Sequence, residues 1–317
     1  HRAGPANPAG PARYFMEVVL LGTAAGGGFP QWNCWCPPCR VARTDPHRAH
    51  PRTQSSAAIS ADGSRWFLLN ASPDVRDQIR RLPVPAPTTM RHLPVEGILT
   101  TDAELDHTMG IALLREGRLL HLYATHAVHE VLSRDSRIVP VTFAFARVKV
   151  TELALDVPAP IRYHDGGDSG LRVTPVAVAG DPPRFAQRDL PGHTVGLFIE
   201  DTKSGGTLAF VPGCGALDDA LLGRLARAEL LLFDGTFWTD DEMIRLGLSA
   251  QTARQMDHLP VSGPEGSLAQ LGALPCRHRV YTHINNSNPM LIEDSDERRA
   301  VTEAGLLVGD DGMRFTL

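Results

Sequence analysis

The stretch Val95 to Gly110, VEGILTTDAELDHTMG, decides how the rest of the chain is read. Val95 to Thr100 is a short apolar run of strand character. It stops at a polar cluster, Asp102, Glu104, Asp106 and His107, and a helical pattern follows from His107 to Arg115. Open α/β sheets hold their ligands at the C-terminal ends of strands. Four potential ligands within six residues at such an end point to a metal site. Helix capping is the simpler account, since acids favour a first turn. Capping uses one acid or two, and leaves the adjacent Asp106-His107 pair without a purpose.

The same arrangement recurs downstream. Asp234 ends the apolar run LLLFDGT, and His283 ends RVYTHIN. His258 lies in a loop flanked by Pro and Gly, MDHLPVSGP. A single histidine of this kind is usually structural; acid or histidine groups just past several strands point to one shared rim. His47, His50, His126 and His129 have no such context and read as surface or supporting residues.

Working outward, Met16 to Leu21 reads as a buried strand running into the glycine-rich loop Gly22 to Gly28. Ala57 to Ser60 and Arg65 to Leu69 flank Asp62-Gly63, a hairpin signal. Pro73 to Arg81 reads as a helix with Ser72 as N-cap. Leu120 to Tyr123 is a strand, followed by a helix near Ala127 to Leu132, and Val139 to Val178 reads as several strands. A second hairpin joins Val195 to Glu200 with Thr207 to Val211. Helix Leu217 to Ala228, strand Leu230 to Phe233, helix Glu265 to Leu271, strand Val280 to His283 and helix Asp296 to Ala304 follow. A closing hairpin is expected around Asp311-Gly312. The two halves share a style, strands first and then alternating strand and helix. Two mixed sheets packed face to face with helices outside satisfy this pattern. A doubly wound sheet is the alternative, and the hairpins argue against it.

The chain has 317 residues, 43% hydrophobic and 21% charged, with net charge −5. That balance disfavours non-specific nucleic-acid or membrane-surface binding, and no run approaches a membrane span. Residues 1–15, rich in Pro, Ala and Gly, read as a disordered leader without the apolar core of a signal peptide. Three of the five cysteines, Cys34, Cys36 and Cys39, form C-x-C-x2-C (NCWCPPC). Such a loop offers three corners of a tetrahedral zinc site and fits a cytoplasmic, reducing location. Cys214 and Cys276 read as small buried hydrophobes.

The segments GTAAGGGFPQWNCWCPPC, RTQSSAAISADG, LLNASPDVRDQI, TDAELDHTMG, LLFDGTFWTDDEM, HLPVSGP, HINNSNPML and EDSDERR together resemble the PqqB family of pyrroloquinoline quinone (PQQ) biosynthesis, within the metallo-β-lactamase superfamily. The resemblance implies an α/β fold, the four-layer αβ/βα sandwich, as one domain over residues 16–317. It implies a non-haem iron oxygenase that uses Fe(II) and O2 to hydroxylate the tyrosine of a small peptide-derived Glu–Tyr substrate, beside other PQQ biosynthesis proteins. Asp106, His107 and His283 match the metal ligands, and Asp234 and His258 are candidates for a catalytic base or a supporting role. Asp102 and Glu104 stand where superfamily hydrolases carry the first-metal histidines, and the region of the bridging aspartate reads Val-Pro-Gly-Cys-Gly. In similar phosphodiesterases a histidine completes the cysteine zinc site; Asn286 stands there. Glu104 and Asp257 replace an expected Gln and Gly. A superfamily hydrolase and a non-catalytic carrier of the finished quinone are the alternatives.

Overall fold

The computed structural model describes residues 15–87, 90 and 92–317. The leader expected over 1–15 lies, apart from Phe15, outside these residues. The first seven-stranded sheet takes β1 (Glu17–Gly22), β2 (Ser56–Ser60), β3 (Trp66–Leu69), β4 (Val95–Leu99), β5 (Leu119–Thr125) and β6 (Arg147–Leu153). The second takes β7 (Ala159–Arg162), β8 (Asp168–Ala177), β9 (Val195–Asp201), β10 (Thr207–Val211), β11 (Leu230–Asp234), β12 (His278–Thr282) and β13 (Leu307–Val308). The last strand, β14 (Arg314–Thr316), returns to the first sheet. The orders are β14-β1-β2-β3-β4-β5-β6 and β13-β12-β11-β10-β9-β8-β7. In each sheet antiparallel pairs give way to parallel ones, at β3–β4 and at β10–β11. A doubly wound sheet is excluded.

Side chains alternate between two covered faces. Val18 and Leu20 of β1 join Leu230 and Leu232 of β11 in the core between the sheets. Val19 and Leu21 face the helices of the first half. Leu231 and Phe233 face those of the second half, which include 219–225, 267–272 and 296–303. Burial on both faces explains why these strands read as unbroken apolar runs. Each fully buried Leu or Phe contributes roughly 1.5–3 kcal/mol relative to exposure.

The hairpin expected at Asp62-Gly63 forms, with Ala57 opposite Leu69 and Gly63 at φ +71°. Three expectations need correction. The start of the Val139 to Val178 stretch, expected as strand, lies in the helix Ile138–Phe143, where packing against helix Leu105–Leu113 overrides the β-branched composition. The helix expected over 73–81 is shorter, Val75–Ile79. The closing hairpin is absent: β13 pairs parallel with β12 in one sheet, and β14 pairs antiparallel with β1 in the other. The turn at Asp311-Gly312 is real, but it carries the chain between sheets.

Asp311 is the clasp of that crossing. Its carboxylate accepts from Thr23 N (3.0 Å) and Oγ1 (2.9 Å), Thr53 N (2.8 Å) and Oγ1 (2.7 Å), and Arg81 Nη1 (3.0 Å). Removing one acceptor that serves several sheltered donors costs about 1–3 kcal/mol for each donor left unpaired. These donors are only part-buried or exposed and water can take over some of them, so Asp311→Ala is expected to lower stability by about 2–4 kcal/mol, and Asp311→Asn by less. A denaturant midpoint unchanged in Asp311→Ala would refute the clasp.

Candidate metal centre

The helix Leu105–Leu113 starts six residues past β4 and carries His107 in its first turn. Gly110 lets this helix press against the loop after β3. A Cβ there would lie 2.3 Å from the Ser72 carbonyl oxygen. The contact is sealed by Gly110 N to Ala71 O (2.9 Å) and Ala71 N to His107 O (2.7 Å). The polar turn is held by Asn70, which donates through Nδ2 to Thr101 Oγ1 (2.9 Å) and accepts from Thr101 N (3.0 Å).

Asp102 is buried beneath His107. Its two oxygens lie 2.8 and 2.7 Å from His107 Nδ1. They also accept from Glu104 N (2.9 Å) and Thr101 Oγ1 (2.7 Å). A carboxylate only accepts, so Nδ1 carries the proton when the ring is neutral, and Nε2 then holds the lone pair that a metal ion would take in place of a second proton. That Nε2 is buried and has no hydrogen-bond partner. Burial opposes charge on the ring, but Asp102 and Asp106 outweigh it and lift His107 to about 9.

His283 follows β12 with a left-handed backbone, φ +54°. A non-glycine residue in that region is strained, and here the bend sends the ring into the pocket. Its Nδ1 lies 2.8 Å from Thr236 Oγ1, whose hydroxyl is 2.6 Å from Asp234 Oδ1. With Nδ1–H donating to Thr236 and Thr236 donating to Asp234, Nε2 of His283 is the nitrogen turned toward Asp106. It lies 3.3 Å from Asp106 Oδ2, which is 3.9 Å from His107 Nε2. Donor atoms of Asp106, His107 and His283 all fall within 4.8 Å of one another. The fold thus brings together these three residues from its two halves.

Asp234 is completely buried at the end of β11. Its Oδ2 accepts from His258 Nδ1 (2.7 Å) and Cys214 N (3.0 Å), and its Oδ1 from Thr236 N (2.9 Å). With its oxygens so engaged, Asp234 acts through His258 and Thr236. Burial opposes charge on His258, but the Asp234 carboxylate prevails and raises its pKa. The His258 and His283 rings stack at 5.3 Å. Two carboxylate–histidine pairs, Asp102–His107 and Asp234–His258, therefore flank His283.

Asp102, Asp106, His107, Thr236, His258 and His283 line a pocket of about 270 Å³ with Glu104, Asp257, Phe237 and Asn285. Desolvation and the carboxylates of Asp102 and Asp106 push Glu104 up to about 7. Asp257, where Gly is expected by resemblance, has φ +61°. That conformation favours Gly and tolerates Asp, so the backbone accommodates the departure. The Val-Pro-Gly-Cys-Gly stretch brings no carboxylate; Gly213 lines the pocket and the Cys214 N–H braces Asp234.

On the outer side of the second sheet, Cys34, Cys36 and Cys39 bring their sulfurs within 4.8 Å of one another. Asn286 does lie beside them, its Nδ2 3.4 Å from Cys36 Sγ and 3.3 Å from Cys39 Sγ. Arg43 staples the loop through the carbonyls of Cys34 (2.8 Å), Cys39 (3.1 Å) and Gln31 (2.6 Å). A hydrogen bond from the Cys36 thiol brings Cys39 down to about 5. Cys214 and Cys276 are buried and separate, as expected. No helix among the described residues is long and apolar enough to cross a membrane.

Residues 65–284 match the family model for the β-lactamase superfamily domain. The chain is 42% identical over 312 residues to coenzyme PQQ synthesis protein B of Methylobacterium sp. (strain 4-46), covering 95% of this chain and 100% of that one. It is 43% identical over 310 residues to the Methylobacterium nodulans protein of the same name, with the same coverage. A crystal structure of Zn(2+)-bound PqqB from Methylobacterium extorquens superposes with TM-score 0.86 at 42% identity, over 95% of this chain and all of that one.

Proposed function

The chain belongs to the coenzyme PQQ synthesis protein B family of the β-lactamase superfamily, and from that premise we propose that it serves PQQ biosynthesis as an Fe(II)- and O2-dependent hydroxylase of a tyrosine ring in a Glu–Tyr-derived precursor. The observation that carries the reading is the convergence of two imidazoles and one carboxylate, His107, His283 and Asp106, on one point of a pocket. That donor set suits non-haem Fe(II) and leaves positions for O2 and substrate. The buried, partnerless Nε2 of His107 fits an ion there. Iron bound by the three side chains would supply activation of O2, which zinc, lacking redox chemistry, does not.

The chain's own residues do the positioning. Asp102 fixes the His107 tautomer, and Thr236 fixes that of His283. His258 is held by Asp234 through Nδ1, and in its neutral form its other nitrogen would accept a proton from the substrate phenol or the hydroxylated ring carbon. In the overall change a ring C–H becomes C–OH and the second oxygen atom leaves as water. The substrate supplies two electrons and an external reductant the other two. The cysteine loop is proposed to hold zinc structurally, with Asn286 beside it.

The test is incubation of iron-loaded protein with a Glu–Tyr dipeptide or its crosslinked form, O2 and reductant, followed by mass spectrometry. Gain of one or two oxygens on the ring is the expected result. Absence of oxygenated product from both substrates, with phosphodiester cleavage by the zinc form, would instead establish a hydrolase.

A further inference from the structure

Among the described residues the pocket is lined by five carboxylic acids, Asp102, Glu104, Asp106, Asp181 and Asp257, and by no lysine or arginine. The nearby Arg184 turns to Gln251 (2.8 Å). Acids alone describe a solvated rim as readily as a site. Asn285 is the independent observation. It lines the same pocket and is only 9% exposed.

Its amide has a determined orientation. Ser287 donates its single hydroxyl proton to Glu242 Oε1. Glu242 Oε2 takes the Trp238 N–H at 2.7 Å. Having given its proton away, Ser287 Oγ accepts, and it accepts from Asn285 Nδ2. The same Nδ2 lies 3.5 Å from Met243 Sδ. The amide nitrogen is thus tied to the interior, and Oδ1 is left without a donor among the described residues. Glu242 and Ser287 are each 2% exposed, so the brace is rigid and dry.

With Asp102 engaged by His107 and Asp106 turned to the proposed ion, Glu104, Asp181 and Asp257 remain beside the fixed Asn285 acceptor, and together they call for a donor-rich, cationic ligand group. We propose that Asn285 is a specificity-determining residue, whose amide oxygen accepts an N–H from a protonated primary amine of the substrate while the surrounding acids supply the field. The inference deepens the reading of this pocket as a site for an amino-acid-derived substrate and rests on it. Glu242 and Ser287 are positioning residues that act through Asn285.

The test measures binding, independent of turnover. Zinc-loaded protein at pH 8 is titrated with L-tyrosine and with its des-amino analogue, 3-(4-hydroxyphenyl)propionate, followed by ligand-observed NMR. A hydrogen bond to a charged group sets the expected scale, so tyrosine binds about tenfold or more tightly. Asn285→Leu removes most of that preference. Glu242→Gln reduces it too, because Gln donates to Ser287 and frees the Ser287 hydroxyl to occupy the Asn285 oxygen. That second variant keeps the test alive if Asn285→Leu does not fold. Equal binding of the two compounds to the unaltered protein, binding of neither, or a preference unchanged in the folded variants overturns the proposal. Amine preference without any hydroxylation would defeat the oxygenase reading and leave the role of Asn285 standing.

Discussion

His107→Ala is expected to abolish Fe(II)- and O2-dependent turnover while the cysteine-bound zinc stays in place. The cysteine group and the Asp106–His107–His283 group share no residue, and His107 belongs only to the pocket. The variant also leaves Asp102 buried without its main partner, and breaking such a pair costs about 3–5 kcal/mol. Assays therefore belong well below the variant's melting transition. Asp102→Asn is the finer probe. It keeps the shape of the carboxylate, but an amide can turn its NH2 toward His107 Nδ1. That would favour the tautomer with the proton on Nε2 and remove the lone pair from the pocket. Loss of an outer partner of this kind typically lowers metal affinity or activity about 10–100-fold. The measurement is iron affinity by competition with a coloured chelator, beside single-turnover yield. An Asp102→Asn protein with undiminished iron affinity would show that Asp102 does not orient His107. Full turnover in His107→Ala would remove the metal centre from the proposal altogether.

The strands were legible because both faces of each sheet are covered, which turns β1 and β11 into unbroken apolar runs, EVVLLG and LLLFD. The site was legible where chemistry sits just past such runs: Asp106 and His107 after β4, Asp234 at the end of β11, His283 after β12. What escaped was the role of each acid. Asp102 and Asp106 look alike in the string DAELDH and both line the pocket, yet Asp102 turns its oxygens to His107 Nδ1 and Asp106 turns Oδ2 to His283 Nε2. Only the path of the first helical turn separates them. Thr236 and Asn285 carried no signal of their own, since threonine after DG and asparagine after HI are ordinary turn residues. Their importance arises from neighbours far apart in sequence, His283 for the one and Glu242 for the other. The turn at Asp311-Gly312 failed for a related reason. Turn chemistry fixes a local reversal of the chain, and it is silent about whether the two flanks pair with each other or with different sheets.

Cys36→Ser is the second substitution expected to have a large effect, and its argument runs through folding. The sulfurs of Cys34, Cys36 and Cys39 converge on the outer side of the second sheet, where Cys39 is fully buried. The loop that carries them also supplies Gln31, whose side chain packs where a Cβ on Gly27 would go, and Gly26 lies against Asp106. The cysteine loop and the pocket wall are therefore one continuous segment, tied at its far end by Arg43 to three loop carbonyls. Binding energy of a structural zinc is folding energy, about 10–16 kcal/mol in small zinc peptides. Replacing one thiolate by a hydroxyl forfeits part of that, so a loss of several kcal/mol or insoluble protein is expected. Chelator-washed unaltered protein should keep about one zinc per chain, since a closed thiolate site holds its ion. Asn286→Ala tests the neighbouring amide separately: if its oxygen turns toward the ion, zinc retention under chelator falls; if the amide merely donates to the sulfurs, zinc stays and Cys39 becomes less acidic. A Cys36→Ser protein that is soluble, as stable as the original and free of zinc would sink the structural assignment.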